Sequence, residues 1–170
     1  MQRKSYGNMK CPIARSLDRV GEWWSILILR DAFYGLRRFD EFQKSLGVAP
    51  NILTRRLNAL VESGLLERRR YSEHPPRDEY VLTERGRDFH PVLLALSAWG
   101  SRHFAPEGAA VQVFNKRTGS VVEPRLVDGA TGENLAGSDF SLIPGPGADD
   151  GVRQRLAERG HRPFVQGGEA

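Results

Sequence analysis

Apolar residues recur at helical spacing over most of the first hundred positions, and glycines interrupt the pattern. A first helix is predicted from Pro12 to Gly21, because proline favours a helix start and glycine a helix end. Residues 23–34 are apolar on nearly every side, which predicts a central buried helix. A short third helix is predicted from Phe39 to Leu46. Together these segments supply apolar side chains for one small core.

The fourth predicted helix has a clear division between an apolar and a polar side. It begins at Pro50, which lacks the N–H that would be unpaired there, and Gly64 follows its end. One side carries Leu53, Leu57, Leu60 and Val61. The opposite side carries hydrogen-bonding residues at i, i+3, i+4 and i+7, which are Asn51, Thr54, Arg55 and Asn58. Because any amphipathic helix has a polar outer side, this helix alone does not identify a ligand.

A β-hairpin is predicted directly after this helix. Its strands are Leu65–Ser72 and Tyr80–Leu82, and the prolines within residues 74–77 are expected to prevent a longer regular strand and to form a compact tip. The order of a short helix, a glycine-containing turn, a second helix and a hairpin is that of a winged helix-turn-helix.

The last long apolar segment is a helix predicted from Glu84 to about His103. Thr83 can cap it, and Pro91 removes one helical hydrogen bond, so a bend or break is expected there. Its apolar arc is too wide for a small domain to bury together with the first helix. We therefore expect a homodimer formed through the first helix and the 84–103 helix, with a fold-back of the C-terminal segment as the alternative.

The pattern changes after residue 105. Val111–Phe114 and Gly119–Val122 read as short strands, and Pro-Gly repeats follow Ile143. The predicted fold class is mainly α with a small β-wing (α+β), a winged helix-turn-helix with a small β-rich C-terminal appendage. The predicted parts are a flexible arm (1–10), the winged-helix and dimerisation domain (11–104), the appendage without metal (105–143) and a flexible tail (144–170).

Charge is unevenly distributed along the chain, which carries a net charge of +4. Residues 1–104 contain 18 Lys and Arg against 12 Asp and Glu, a balance of +6, whereas residues 105–170 contain 7 against 9, a balance of −2. A basic excess in the predicted domain fits a polyanionic partner. No apolar run is long enough to span a membrane or resembles a secretory signal, and one cysteine precludes an internal disulfide, so a cytoplasmic protein is expected.

The polar side of the fourth helix has the chemistry that reads double-stranded DNA. Arginine pairs with guanine, asparagine with adenine, and threonine with a polar group or the thymine methyl. Asn51, Thr54, Arg55 and Asn58 are therefore the predicted base-reading residues. The other predicted DNA contacts are Arg37, Arg38, Arg56, Arg69 and Arg77, with a solvated surface charge as the alternative for each. Arg77 at the wing tip would enter the neighbouring minor groove or contact its phosphate.

Several stretches together resemble the HxlR family of bacterial transcription regulators, relatives of the MarR group. They are residues 11–18 (Cys-Pro-Ile-Ala-Arg-Ser-Leu-Asp), 21–31, 38–42, 53–57 with Gly64-Leu65, 75–80 and 82–86. The resemblance covers about residues 9–104. It implies a homodimeric winged helix that binds a palindromic DNA operator. It does not imply which genes are regulated, which signal is sensed, or whether binding represses or activates; repression is our separate expectation.

The sequence also departs from the family pattern. Ala49 stands where the family often has a serine before the recognition-helix proline, which removes a capping oxygen worth about 1 kcal/mol. Some members continue into a zinc-ribbon-like tail, but here Thr118, Asp128 and Thr131 stand where thiolates would. Threonine is a poor zinc ligand, so no metal or other cofactor is expected and the appendage should be held by packing alone.

Cys11 is the one candidate for a chemical switch. It directly precedes a helix-starting proline, where unpaired N–H groups favour a thiolate, and some family members sense oxidants or electrophiles at this position. Without a second cysteine, a switch would use a mixed disulfide, an adduct or a Cys11–Cys11 bridge across the dimer. The alternative is a cysteine without a role.

Two other functional hypotheses follow from the residues. A small-molecule effector could bind in the dimer cleft, lined by Trp23, Trp24 and Trp99, although such residues more often belong to a core. A winged helix could instead bind only another protein, against which the arginines of the polar surface argue. No nucleophile motif, phosphate-binding loop or metal spacing is found, so no catalytic residue is predicted and the protein is expected not to be an enzyme.

Overall fold

The computed structural model describes residues 11–135 and 139–160. The chain divides into two compact units, residues 1–94 and 95–170. The elements in chain order are α1 (Pro12–Val20), α2 (Trp23–Phe33), α3 (Phe39–Leu46), α4 (Pro50–Glu62), β1 (Leu66–Glu73), β2 (Pro76–Leu82), α5 (Glu84–Arg87), α6 (His90–Phe104), β3 (Val113–Asn115), β4 (Ser120–Val122) and α7 (Asp150–Arg159). The fold is mainly helical with an antiparallel β-hairpin, as predicted.

The core of the first unit forms where α2 packs against α1, α3, α4 and β2. Seven of its apolar side chains are almost fully buried, namely Ile28, Leu29, Phe42, Leu53, Leu57, Leu60 and Leu66. Burial of such side chains is the main stabilising contribution in a domain of this size. The expectation that residues 23–34 are buried on nearly every side was wrong at the helix start, where Trp23 is 82% exposed.

The helix-turn-helix formed by α3 and α4 follows the predicted boundaries. Gly47 ends α3 with φ of +61°, and Pro50 starts α4 two residues after Val48, whose side chain is buried in the core. Gly64 adopts φ of +68° just after α4, a conformation in which glycine has no steric penalty. The turn residues thus set the direction of α4 relative to α3.

The wing is longer than predicted. β1 and β2 pair in antiparallel register from Leu66 with Leu82 to Glu73 with Pro76, with a register shift between Arg70 and Ser72. The expectation that the prolines prevent a longer strand was wrong, because Pro76 is the first residue of its strand and a proline is tolerated at that position. Only His74 and Pro75 lie between the two strands at the tip.

The predicted break near Pro91 is confirmed. The chain forms α5, turns at Asp88 and Phe89, and then forms α6 with Pro91 in its first turn. Thr83 caps α5, since its hydroxyl oxygen accepts a hydrogen bond from the N–H of Gly86 at 3.0 Å. The same hydroxyl donates to the Gly64 carbonyl at 2.6 Å, which fastens α5 to the end of α4.

The second unit contains the hairpin of β3 and β4 and the helix α7. Gly119 and Gly132 directly follow Thr118 and Thr131, and both have positive φ. Helix α7 lies within residues 144–170, which were predicted to be a flexible tail, either disordered or marginally helical at its arginine-bearing end. The predicted flexible arm, residues 1–10, lies outside the described residues.

Hydrogen bonds rather than apolar burial stabilise the two turns of this unit. The Asn115 carboxamide oxygen accepts from the N–H groups of Arg117 and Thr118, and the Asp128 carboxylate accepts from the N–H of Ala130. Phe114 of β3 is 57% exposed. No group of three or more potential metal-binding His, Cys, Asp or Glu side chains occurs within residues 11–135 and 139–160.

Among the helices described, none is both long and apolar enough to cross a membrane.

Candidate nucleic-acid interface

Helix α4 presents a polar surface opposite its buried side. Leu53, Leu57 and Leu60 are fully buried, whereas Asn51, Thr54 and Arg55 are exposed and Asn58 is partly exposed. The apolar side fixes the rotation of the helix about its axis, because turning it would expose all three leucines. The polar side therefore faces away from the core.

Two polar side chains near the start of α4 form hydrogen bonds within the helix. Ala49 offers no capping oxygen, and the Asn51 carboxamide oxygen instead accepts from the N–H of Ile52 at 2.9 Å. The Thr54 hydroxyl donates to the Pro50 carbonyl at 2.8 Å. The Asn51 amide hydrogens and the Thr54 lone pairs stay available as donors and acceptors. The Asn51 oxygen has one further lone pair for a base contact.

Asn58 is engaged with the wing. Nη2 of Arg68 donates to its carboxamide oxygen at 2.7 Å, and the same guanidinium lies 5.6 Å from the ring centroid of Tyr80. Bidentate recognition of adenine needs both the oxygen and the nitrogen of an asparagine. In this arrangement the Asn58 oxygen already accepts one hydrogen bond, so one lone pair and the amide hydrogens are left for a base.

The two consecutive arginines of α4 have different environments. Arg56 forms an ion pair with Glu22, with Nη2 2.8 Å from the carboxylate, and its side chain is 15% exposed. Arg55 is exposed and forms no ion pair with any residue that the structure describes. Arg55 therefore carries an uncompensated charge, while the charge of Arg56 is neutralised locally.

The wing arginines Arg69, Arg70 and Arg77 differ in their ion pairs. Arg70 pairs with Asp78 at 2.7 Å, and Arg69 forms an ion pair with Glu67 on the same strand. Arg77, beside the tip, is exposed and has no acidic partner within the described part of the chain. A charge without a partner retains its full attraction for a phosphate.

The entry to α3 is attached to the wing. The N–H of Tyr80 donates to the Arg37 carbonyl at 2.8 Å, and the Arg38 guanidinium lies 4.7 Å from the ring centroid of Tyr71. The N–H groups of Arg37 and Arg38 both donate to the Glu41 carboxylate at 2.8 Å. These hydrogen bonds hold the pKa of Glu41 below its ordinary value of 4.5.

Sequence reasoning assigned no partner to Arg68 or Tyr71. Arg68 reaches Asn58, ten residues away, and Tyr71 stacks with Arg38, far earlier in the chain. Neither contact has a local sequence signal, because both depend on where the wing folds against the helices.

Two of the three tryptophans proposed for a ligand cleft lie together. Trp23 and Trp24 line an open hollow of about 340 Å³ between the start of α2 and the outer side of α4. The other lining residues are Glu22, Ile52, Arg55 and Arg56. Trp99 belongs to the second unit, where its ring centroid lies 5.0 Å from that of Phe104.

Cys11 lies at the start of α1 and is exposed. It is the N-cap residue, and its carbonyl accepts the first helical hydrogen bond from Arg15 at 3.1 Å. The thiol is therefore accessible to a reagent in solution.

Comparison with known proteins identifies one family model, described as HxlR-like helix-turn-helix, that matches residues 19–108. The uncharacterised HTH-type transcriptional regulator Rv3095 of Mycobacterium tuberculosis is 40% identical over 136 residues, which cover 79% of this chain and 86% of that protein. The corresponding regulator sll1512 of Synechocystis is 45% identical over 92 residues, covering 54% of this chain and 68% of the relative.

Solved structures extend the similarity into the second unit. The candidate transcription factor PA1607 superposes with a TM-score of 0.72 at 42% identity, covering 82% of this chain and 99% of that one. PA1374 of Pseudomonas aeruginosa, also a candidate transcription factor, gives a TM-score of 0.61 at 55% identity over 86% and 100% of the two chains. The redox regulator HypR in its reduced form gives 0.53 at 31% identity over 56% and 95%.

Proposed function

Since the chain belongs to the HxlR-like helix-turn-helix family and is thus a DNA-binding transcriptional regulator, we propose that it acts as a homodimeric repressor on a palindromic operator. In this role α4 enters the major groove and the wing contacts the adjoining backbone. A two-fold symmetric protein then matches a two-fold symmetric site.

The exposed polar side of α4 is the observation that carries this proposal. It presents Asn51, Thr54 and Arg55, and the Arg55 guanidinium has no ion pair among the described residues. Arg55 is the principal base-reading residue, because guanidinium pairing with guanine is the commonest specific base contact and no ion pair among the described residues competes with it. Asn58 contributes through its amide hydrogens and the remaining lone pair of its carboxamide oxygen.

Backbone phosphates are contacted by arginines around this helix. Arg77 and Arg37 are exposed and have no ion pair among the described residues, so they bind phosphate directly. Arg38 and Arg69 contribute more weakly because each already contacts a neighbour, Tyr71 and Glu67 respectively. We leave Arg56 out of the contact set, since its ion pair with Glu22 would have to open first.

The dimer is formed through apolar side chains that the described part of the monomer leaves exposed. Those of α1 and α6 include Ile13, Leu17, Val92, Leu96, Trp99 and Phe104. None of the residues of α6 is buried, although most of them are apolar. Such a surface is typical of a subunit interface.

The experiment selects binding sites from random double-stranded DNA and then measures affinity by fluorescence anisotropy at about 0.15 M salt. We expect an inverted repeat, bound by the wild-type protein with sequence preference. Arg55→Gln should weaken binding to the selected site by about 10- to 100-fold and reduce discrimination at one base pair of each half-site. Arg117→Gln, which removes the same charge from the β3–β4 turn, is the matched control and should bind normally.

Failure to enrich any sequence would refute the proposal. Equal affinities for Arg55→Gln, Arg117→Gln and wild-type protein would show that α4 does not read the bases.

A thiol switch at Cys11 is the second proposal and concerns the signal. It is supported by the exposed thiol and by the likeness to HypR, a redox regulator solved in both reduced and oxidised forms. Two Cys11 thiols can lose two electrons and two protons to an oxidant such as diamide and form one disulfide across the dimer. A mixed disulfide with a small thiol, or an adduct with an electrophile, would modify each subunit separately.

This second proposal is tested with a Cys11→Ser variant and the selected DNA. Diamide should lower the DNA affinity of the wild-type protein and leave that of Cys11→Ser unchanged, and dithiothreitol should restore the wild type. Non-reducing electrophoresis distinguishes an intersubunit disulfide from a modified monomer. An equal response of both proteins to diamide would rule Cys11 out as the switch.

A further inference from the structure

The hollow beside α4 combines apolar walls with an excess positive charge. Its volume of about 340 Å³ lies within the range of about 300–1,000 Å³ usual for small-molecule sites. Trp23, Trp24 and Ile52 supply apolar surface, and Glu22, Arg55 and Arg56 supply the charged groups.

Trp23 leaves an unusually large aromatic surface available. It is 82% exposed, and its indole has no ring contact with another described residue. An exposed tryptophan offers a planar face on which an aromatic ring can stack, with a gain beyond simple area burial.

The charged groups of the hollow do not cancel. Two guanidiniums face one carboxylate, a net charge of +1. Glu22 is committed to Arg56 at 2.8 Å, and Nε of Arg56 is a buried donor without a hydrogen-bond partner in the described structure. Arg55 is the exposed cation, and a carboxylate matches the fork of its donors.

We propose that this hollow binds a planar aromatic monocarboxylate, whose ring packs on Trp23 and whose carboxylate pairs with Arg55. This inference deepens the proposed function and rests on it for its consequence, because Arg55 is also the principal base-reading residue. An anion bound to Arg55 competes with DNA, so the ligand acts as an effector that releases the operator. The site lies within one subunit, unlike a cleft between subunits.

The ligand test uses 2-naphthoate and the full chain under reducing conditions, with isothermal titration calorimetry in the absence of DNA. We expect one site per chain with a dissociation constant tighter than about 1 mM. Trp23→Ala and Arg55→Gln should each weaken binding at least about tenfold, the loss expected for an aromatic wall and for a hydrogen-bonded charge. Arg117→Gln should bind as the wild type does, and the neutral analogue 2-naphthamide should bind at least about tenfold more weakly.

Trp23→Ala is suited to this comparison because the Trp23 side chain is mostly exposed, so its removal should not disturb the core. Circular dichroism verifies that each variant is folded.

The DNA test adds 2-naphthoate to the anisotropy assay with the selected operator. Naphthoate should weaken DNA binding by the wild-type protein and have no effect on Trp23→Ala.

The outcomes separate this site from the proposed function. Naphthoate binding that depends on Trp23 and Arg55 supports the site even if no operator is found, in which case the proposed function fails. Absence of binding, equal binding of the amide, or equal loss in Arg55→Gln and Arg117→Gln overturns the site. If Trp23→Ala loses DNA affinity and the wild-type protein binds no naphthoate, the proposed ligand site is also overturned. The hollow then belongs to the DNA interface.

Discussion

At the scale of single residues, local hydrogen bonds determine which side chains of α4 are ready to contact DNA. Asn58 has its carboxamide oxygen occupied by Arg68, and Asn51 uses its own at the start of the helix. Arg55 has neither constraint. Asn51, Thr54, Arg55 and Asn58 are equivalent by spacing. They differ in how many donors and acceptors are left unbonded for a base.

Among the glycines that the structure describes, Gly86 has the least room for an added Cβ. A Cβ at this position would lie 2.1 Å from the carbonyl oxygen of Leu65 and 3.1 Å from Cδ2 of Leu82. We predict that Gly86→Ala lowers the free energy of unfolding by about 1–3 kcal/mol, because the junction between wing and α5 must move. Chemical denaturation followed by circular dichroism measures the loss.

Gly129→Ala is the control for this substitution, since nothing lies within 4 Å of a Cβ built at that glycine. It should leave the denaturation midpoint within error of the wild type. Equal midpoints for all three proteins would show that the Gly86 contact is not tight in solution.

At the scale of elements, the wing holds the helix-turn-helix at both of its ends. The entry to α3 bonds to β2 through Tyr80 and Arg37, and Arg68 of β1 reaches α4. Glu41 completes the entry by accepting two backbone N–H groups, one half of a capping box. The position of α3 relative to the wing thus depends on few polar contacts.

Glu41→Gln is predicted to destabilise the protein by about 1 kcal/mol at neutral pH. The pKa of Glu41 is lowered in the folded state, so its charge stabilises the fold above the ordinary pKa of 4.5, and this contribution is lost as the pH falls below that value. The difference between the two proteins should therefore shrink on acidification from pH 7 to below 4.5. Denaturation midpoints at several pH values measure it, and a difference that is constant with pH would contradict the assigned cause.

At the scale of the whole molecule, the exposed apolar residues of α1 and α6 are the main feature that the described monomer leaves unexplained. Ile13 is 72% exposed and Phe104 is 68% exposed. Exposed apolar side chains in such number are typical of an interaction surface. Association of two copies would remove them from solvent.

We predict that the wild-type protein sediments as a species of twice the chain mass of 19.1 kDa. Leu96→Glu should shift it toward the monomer and weaken the dimer at least about tenfold, because a carboxylate would be buried without a partner. Leu142→Glu is the matched control, since Leu142 is 47% exposed and Leu96 is 44% exposed. A monomeric wild type, or the same shift in both variants, would refute the predicted interface.

The sequence by itself determined the helices of the first unit and the helix-turn-helix. Local features determine α4 and its ends, namely the leucine spacing and the turn residues Gly47, Pro50 and Gly64. Because these features act over a few positions, their effect can be predicted from the sequence. The break before α6 followed in the same way from Pro91. The family resemblance rested on these same local motifs.

Only the tertiary structure decided how the polar side chains are paired. Arg56 belongs with Glu22, Asn58 with Arg68, and Trp23 with Arg55 around the hollow, although each partner lies distant in sequence. The length of the wing was decided there as well, through the pairing of β1 with β2. Backbone propensity depends on neighbours along the chain, so a local pattern reveals it. Ion pairs and hollows depend on which surfaces the folded chain brings together, and no local sequence pattern specifies those contacts.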